Sequence, residues 1–113
     1  MKQSDQYKGA ILAPMVRIGT LPYRLLCIEK GASLVYSEEI IDHRLMDCQQ
    51  FDKTDLTEWK LTIDDNPVFQ TTDTEKNKVI LQLGTADPDR AVKAAKLVEK
   101  HVAGIDVNMG NNT

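Results

Sequence analysis

Cysteine is scarce in this chain of 113 residues: there are two, Cys27 and Cys48, with no CxxC pair and no Cys/His spacing. That excludes a disulfide framework and a zinc site as sources of stability, and leaves both residues as buried or half-buried thiols. Long apolar runs are missing too. Ala10 to Val16 and Val79 to Leu83 fall far short of the ~20 residues a membrane helix needs, and the polar N-terminus has no signal-peptide pattern. An intracellular, cytoplasmic protein without a membrane partner is expected. Positive charge is not in excess: the formal charge is −3 and the sequence pI is near 5.3. Affinity for nucleic acid comes mostly from Lys and Arg neutralising phosphates, so this segment is not expected to supply the grip on a polyanion. Gly-rich phosphate loops are absent, since Gly84-Thr85-Ala86-Asp87 fits neither a P-loop nor a dinucleotide fingerprint. What remains is an ordinary globular composition.

The order of signals alternates short apolar runs with helical stretches, which points to βαβ units and a parallel sheet. Ala10-Ile11-Leu12-Ala13 reads as a first strand closed by Pro14, which cannot donate to a sheet ladder. Thr20 can cap a helix with Pro22 in its first turn, an apolar stripe of Leu21, Leu25, Leu26 and Ile28, and Gly31 as its stop. Ser33 to Tyr36 reads as a second strand, followed by a helical pattern carrying Ile40, Ile41, Leu45 and Met46. From about Phe51 to Asn77 the helical period disappears. There Trp59, Leu61 and Ile63 alternate with polar residues, Asp64 to Pro67 forms a turn cluster and Val68-Phe69 offers a partner, which predicts a hairpin inserted before the third strand. Lys78 to Gly84 is a nearly continuous apolar run of the kind buried on both faces of a parallel sheet. Asp87 then caps a helix with Pro88 at its first position and Ala91, Ala94, Ala95 and Val98 on one face, and Val102 to Asn108 reads as a fourth strand.

In a (β/α)₈ barrel the active site is built at the C-terminal ends of the strands. Here the residues leaving the strands are Pro14-Met15, Glu38-Glu39, Gln82 and Asn108. Three of these exits carry a side-chain oxygen that could address a planar heterocycle, although loops meeting water produce polar strand ends as well. Gln82 departs from that plainer reading because it interrupts an apolar run, and a buried amide needs hydrogen-bond partners. Glu38 and Glu39 are adjacent in extended chain, so at most one can face a barrel interior. His43 and His101 lack spaced partners and read as helix-surface residues. Asn111-Asn112-Thr113 matches a glycosylation acceptor by accident, given no secretory signal.

Four segments, Ile11-Leu12-Ala13-Pro14-Met15-Val16-Arg17, Val35-Tyr36-Ser37-Glu38-Glu39, Leu81-Gln82-Leu83-Gly84 and Gly104-Ile105-Asp106-Val107-Asn108-Met109-Gly110, resemble the tRNA-dihydrouridine synthases in order and spacing, and the eukaryotic subfamily acting on the D-loop most of all. The resemblance implies the N-terminal half of a TIM (β/α)₈ barrel: an α/β fold with about four parallel strands and a hairpin before the third, spanning residues 1–113 as an incomplete FMN-binding domain. It also implies an FMN-dependent oxidoreductase that reduces uridine in tRNA at the expense of NADPH or NADH. By the same resemblance Pro14, Met15 and Val16 would line FMN, Glu39 and Gln82 would contact the flavin region, and Asn108 would sit near flavin and uracil.

One departure stands out. The family continues Asn-Met-Gly with Cys-Pro, the cysteine being the proton donor, whereas Asn111-Asn112-Thr113 follow Gly110 here. An amide does not release a proton near neutral pH. The expectation is therefore a chain that binds FMN weakly, lacks synthase activity by itself and self-associates through open strand edges. A nonenzymatic flavin- or partner-binding module and another FMN-dependent barrel oxidoreductase are the alternatives.

Overall fold

The computed structural model describes residues 11–12 and 19–110. Along the chain run β1 (Ile11–Leu12), α1 (Leu21–Glu29), β2 (Leu34–Ile41), α2 (Asp42–Met46), β3 (Gln49–Lys53), β4 (Leu56–Lys60), β5 (Phe69–Thr71), β6 (Val79–Gly84), α3 (Pro88–Val98), a 3₁₀ turn (Glu99–His101) and β7 (Gly104–Asn108). β1, β2, β6 and β7 form a parallel sheet in that spatial order, and β3, β4 and β5 form a separate antiparallel sheet. Among the described residues, no helix is long and apolar enough to cross a bilayer.

The expected strand over Lys78 to Gly84 is the centre of the molecule. Val79, Leu81 and Leu83 are fully buried and share one core with Leu45 of α2 and Ala91, Ala94 and Val98 of α3. Small alanines at helical spacing let α3 lie close to the sheet. Asp87 caps that helix as expected, its side chain accepting from the Asp89 N–H at 3.0 Å. Gly31 closes α1 with φ 101°, a conformation costly for any residue with a Cβ, and the Ala32 N–H returns to the Cys27 carbonyl at 2.9 Å. Gly19, just ahead of α1, is required by close approach instead: a Cβ there would stand 2.7 Å from the Ser37 carbonyl carbon.

Four expectations need correction, three of them in the elements themselves and one at His101. β2 runs on to Ile41, so Ile40 and Ile41 belong to the strand; their β-branched side chains continue the ladder against Leu83 and Gly84, and α2 begins only at Asp42. The insertion is a three-stranded meander rather than a hairpin. β3 was hidden by its polar exposed sequence, and β4 stops at Lys60, leaving Ile63 69% exposed within a turn in which the Asp65 N–H bonds the Thr62 carbonyl. The apolar stripe expected on α1 is only in part its inward face: Ile28 packs on the core and Leu21 and Leu25 are half-buried, but Leu26 is 47% exposed and the buried residue is Arg24.

Arg24 explains how the meander is fastened to the sheet. Its Nε donates to Glu75 Oε1 at 2.8 Å, its other nitrogens donate to the carbonyls of Gly19 and Gln70, and its guanidinium lies 5.4 Å from the Phe69 ring centre. Phe69 in turn packs against Trp59, and His101 meets Trp59 edge-on at 5.2 Å. His101 is thus half-buried against the meander, not the free helix-surface residue expected. A second buried carboxylate, Asp42, accepts from the Thr85 hydroxyl, from Arg90 Nε at 2.8 Å and from the His43 N–H at 2.6 Å, tying α2 to the end of β6 and to α3.

These two carboxylates titrate in opposite directions. Burial pushes Glu75 upward, and the charge and hydrogen bond of Arg24 recover only part of that. Burial would raise Asp42 as well, but its donors outweigh burial and hold it below the ordinary carboxylate value. Replacing Arg24 by Met leaves Glu75 buried and unpaired, with an expected loss of about 3–5 kcal/mol in urea unfolding. Glu75→Gln on top of Arg24→Met should cost less than the sum of the single changes, with a coupling on the order of 1–3 kcal/mol; additive losses would show that the pair does not act as a unit. Because Asp42 is depressed, its stabilisation is complete above its unfolded value of about 3.9 and is lost as pH falls through its folded value. Asp42→Asn should therefore lose on the order of 2–3 kcal/mol at pH 7 and flatten the acid limb of the stability profile. Glu58, also held low against its burial by Lys53 and Lys60, contributes to the same limb, while the raised Glu75 contributes with the opposite sign.

Candidate functional site at the strand ends

The parallel sheet has two faces, and register assigns each residue to one of them. Tyr36, Ile80 and Gly104 share a face, as do Glu39, Gln82 and Asp106 one step further along, while Gly84 pairs with Ile41 and Asn108 at the end. The opposite face carries Val79, Leu81 and Leu83 and packs on the helices.

A bulge decides which glutamate belongs to the first face. Between Tyr36 and Glu39 the ladder slips: Tyr36 pairs with Ile80, Glu39 with Gln82, and two residues of β2, Ser37 and Glu38, stand opposite Leu81 alone. An extra residue reverses the alternation, so Glu39 replaces Glu38 beside Gln82. Ser37 pins the bulge. Its hydroxyl accepts from the Gln82 N–H at 3.0 Å and donates to the Glu38 carbonyl at 2.8 Å, while its own carbonyl accepts from Gln82 Nε2 at 2.7 Å. The amide nitrogen of Gln82 is therefore partnered within the protein, and its half-buried position needs no ligand to explain it.

Across the rim, Asn108 Nδ2 donates to Glu39 Oε2 at 2.8 Å, and the Asn108 carbonyl accepts from the Thr85 N–H at 3.1 Å. The structure thus brings Glu39, Gln82 and Asn108 together at the C-terminal ends of β2, β6 and β7. Pro14, Met15 and Val16 lie outside the described residues, as do Asn111, Asn112 and Thr113. Beside the rim a cleft of about 320 Å³ opens, lined by Gly19, Arg24, Glu39, Arg44 and Phe69 among others, at the low end of the size range of ligand pockets. Sequence reasoning missed Ser37, Gly84 and Asp106. Counting back by two from Asn108 finds Asp106, but nothing in the sequence marks the bulge that recruits Ser37.

Chemically the rim offers two carboxamides, of Gln82 and Asn108, and the carboxylate of Glu39, with Asp106 on the same face, a set that orients a polar planar ligand by hydrogen bonds. It contains no thiol. Cys27 sits in α1, and Cys48 follows α2 with Sγ donating to the Arg44 carbonyl at 3.3 Å; burial pushes both thiols up. Among the described residues no cluster of three or more His, Cys, Asp or Glu side chains is arranged to hold a metal ion.

Each successive strand of the parallel sheet is added on the same side, without the reversal of a doubly wound sheet, and the polar residues gather at the C-terminal ends. That is the layout of a (β/α) barrel sector with its ligand rim. The dihydrouridine synthase (Dus) family model matches residues 11–111, and the chain belongs to that family. It is 43% identical over 104 residues to the tRNA-dihydrouridine(20) synthase [NAD(P)+] of Schizosaccharomyces pombe and 41% identical over 108 residues to that of Saccharomyces cerevisiae. A tRNA-dihydrouridine(47) synthase [NAD(P)(+)] of Botryotinia fuckeliana is 32% identical. Each match covers 88% of this chain, but 22%, 28% and 15% of the respective relatives, so the chain spans about a quarter or less of their length.

A raised thiol pKa lowers the thiolate fraction, so Cys27 and Cys48 should react with iodoacetamide at pH 7.5 more slowly in the folded chain than in urea. Alkylation of either at the unfolded rate, followed by mass spectrometry, would contradict the burial described.

Proposed function

We propose that this chain supplies one sector of the flavin-facing rim of an enzyme that reduces uridine to 5,6-dihydrouridine in tRNA, with NADPH or NADH as reductant. The observation that carries this is the meeting of Glu39, Gln82 and Asn108 on one face at the ends of adjacent parallel strands, in a member of the dihydrouridine synthase family. Position 20 of the D-loop is the favoured target, because identity to the relatives named for that position reaches 41–43%, against 32% for the relative named for position 47.

The residues present fit an isoalloxazine. Its pyrimidine edge alternates carbonyl oxygens with an imide N–H, and carboxamides answer both kinds of group. Gln82 and Asn108 would hold that edge, with Pro14, Met15 and Val16 as the remaining candidates from this chain. When bound, FMN supplies hydride chemistry between the nicotinamide and the base. The residues of this chain bind and orient. With a formal charge of −3 the chain is not the phosphate-gripping surface, and neither of its thiols stands at the rim to donate a proton.

A chimera tests this reading. Residues 11–110 of this chain replace the matching segment of the Saccharomyces cerevisiae relative in cells lacking that relative, and dihydrouridine at tRNA position 20 is mapped by mass spectrometry. Restoration of the modification is expected, with at least a tenfold loss from Asn108→Ala and from Gln82→Ala, in line with removal of a positioned hydrogen-bond donor. A folded, flavin-loaded chimera that leaves position 20 unmodified would sink the assignment.

A further inference from the structure

We infer that Glu39 is a positioning residue that acts through Asn108, and that Gly84 is the vacancy that lets it do so. This rests on the proposed flavin rim. An ionised carboxylate has only acceptors, so the side-chain amide 2.8 Å from Glu39 Oε2 must present its nitrogen there. One Nδ2 hydrogen of Asn108 is thereby committed, and the planarity of the carboxamide fixes the plane and sense in which Oδ1 and the second N–H lie. Asn108 is exposed at the strand end, where it would otherwise sample both amide orientations. A Gln at position 39 could not dictate the choice, because it accepts and donates equally well.

The carboxylate reaches Asn108 by crossing over β6. Glu39 pairs with Gln82, whereas Asn108 pairs with Gly84 two residues further on. The Glu39 side chain must pass over residue 84, and a Cβ on Gly84 would stand 3.0 Å from its Cδ and 3.1 Å from its Oε1. Alanine at 84 already presses on the carboxylate, which must give by a few tenths of an ångström, and a larger side chain displaces it further. Bulge, glycine and carboxylate thus form one device with one output, the sense of the Asn108 amide. An amide set in this way discriminates between a ligand edge that offers a donor and one that offers an acceptor, which is what orienting a flavin or uracil edge requires.

The test uses the full chain labelled with ¹⁵N, the variants Glu39→Gln, Glu39→Ala and Gly84→Ala, and FMN as the probe. In the parent chain the hydrogen-bonded proton of the Asn108 side-chain amide should be displaced from its free-amide position. In Glu39→Ala it should return to that position while Tm stays unchanged, and Gly84→Ala should move it part of the way. FMN-induced shifts at Asn108 should weaken about tenfold in Glu39→Gln, as expected when a hydrogen bond to a charged group is lost. Asn108 resonances that are identical in the parent and Glu39→Ala, or FMN-induced shifts that are present and equal in the two, overturn the positioning role while leaving the flavin rim intact. Resonances that move in Glu39→Ala, together with a folded chimera carrying residues 11–110 of this chain that takes up no FMN, support the positioning and bring down the flavin reading instead.

Discussion

The rest of the structure hangs on a buried guanidinium. Arg24 is the point where the approach to α1, the meander and the segment before β6 meet, through Gly19, Gln70 and Glu75 respectively. Glu75 passes that constraint on, because its backbone carbonyl accepts from the N–H groups of Lys78 and Val79 as the chain turns into the central strand. Neither residue is buried for its apolar surface. The cost of taking the carboxylate out of water shows in its upward shift, which Arg24 only partly offsets. What the pair gains is specificity of arrangement: an insertion of short polar strands with a small aromatic cluster has a fixed place on the sheet.

That fixed place matters because the rim begins where the meander ends. The cleft is walled on one side by Phe69 and Arg24 and on the other by the bulged end of β2. Asp42 does the corresponding work behind the rim, holding α2 and α3 to Thr85, whose backbone N–H bonds the Asn108 carbonyl. Two buried carboxylates with opposite shifts thus brace β6, Glu75 where the chain enters the strand and Asp42 where it leaves. Asp42 has three donors and stays ionised easily. Glu75 has a single guanidinium that also serves two carbonyls.

Much of this was legible in the sequence, and the parts that were not share a cause. The central strand, α1 with its Pro and Gly punctuation, and α3 with its Asp cap were readable because local chemistry and burial agree there. β3 was not, because its residues are mostly exposed and its strand is made by pairing with β4 rather than by any apolar pattern. The boundary between β2 and α2 was misjudged because Ile40 and Ile41 suit either period, and only the ladder to Leu83 and Gly84 decides. Arg24 was passed over because a charged residue in an amphipathic helix reads as surface, and its partner lies 51 residues away. At the rim, the sequence reduced Glu38 and Glu39 to at most one inward glutamate. Choosing between them took the bulge, a feature of register that only the paired strand reveals.

The rim also limits what this chain can do within the proposed reaction. Three adjacent parallel strands present Glu39, Gln82 and Asn108 to the same side of a ligand, so they can set its edge and its tilt but cannot enclose it. Two of the three are carboxamides, which hold a heterocycle in register without releasing a proton near neutral pH. The net negative charge leaves the phosphates of a nucleic acid unanswered, and the thiols are turned into the helix layer. Orientation is thus the contribution these residues are built for. Both rim amides carry it, because each has its sense dictated by a neighbour that can only accept, Gln82 by the Ser37 carbonyl and Asn108 by Glu39.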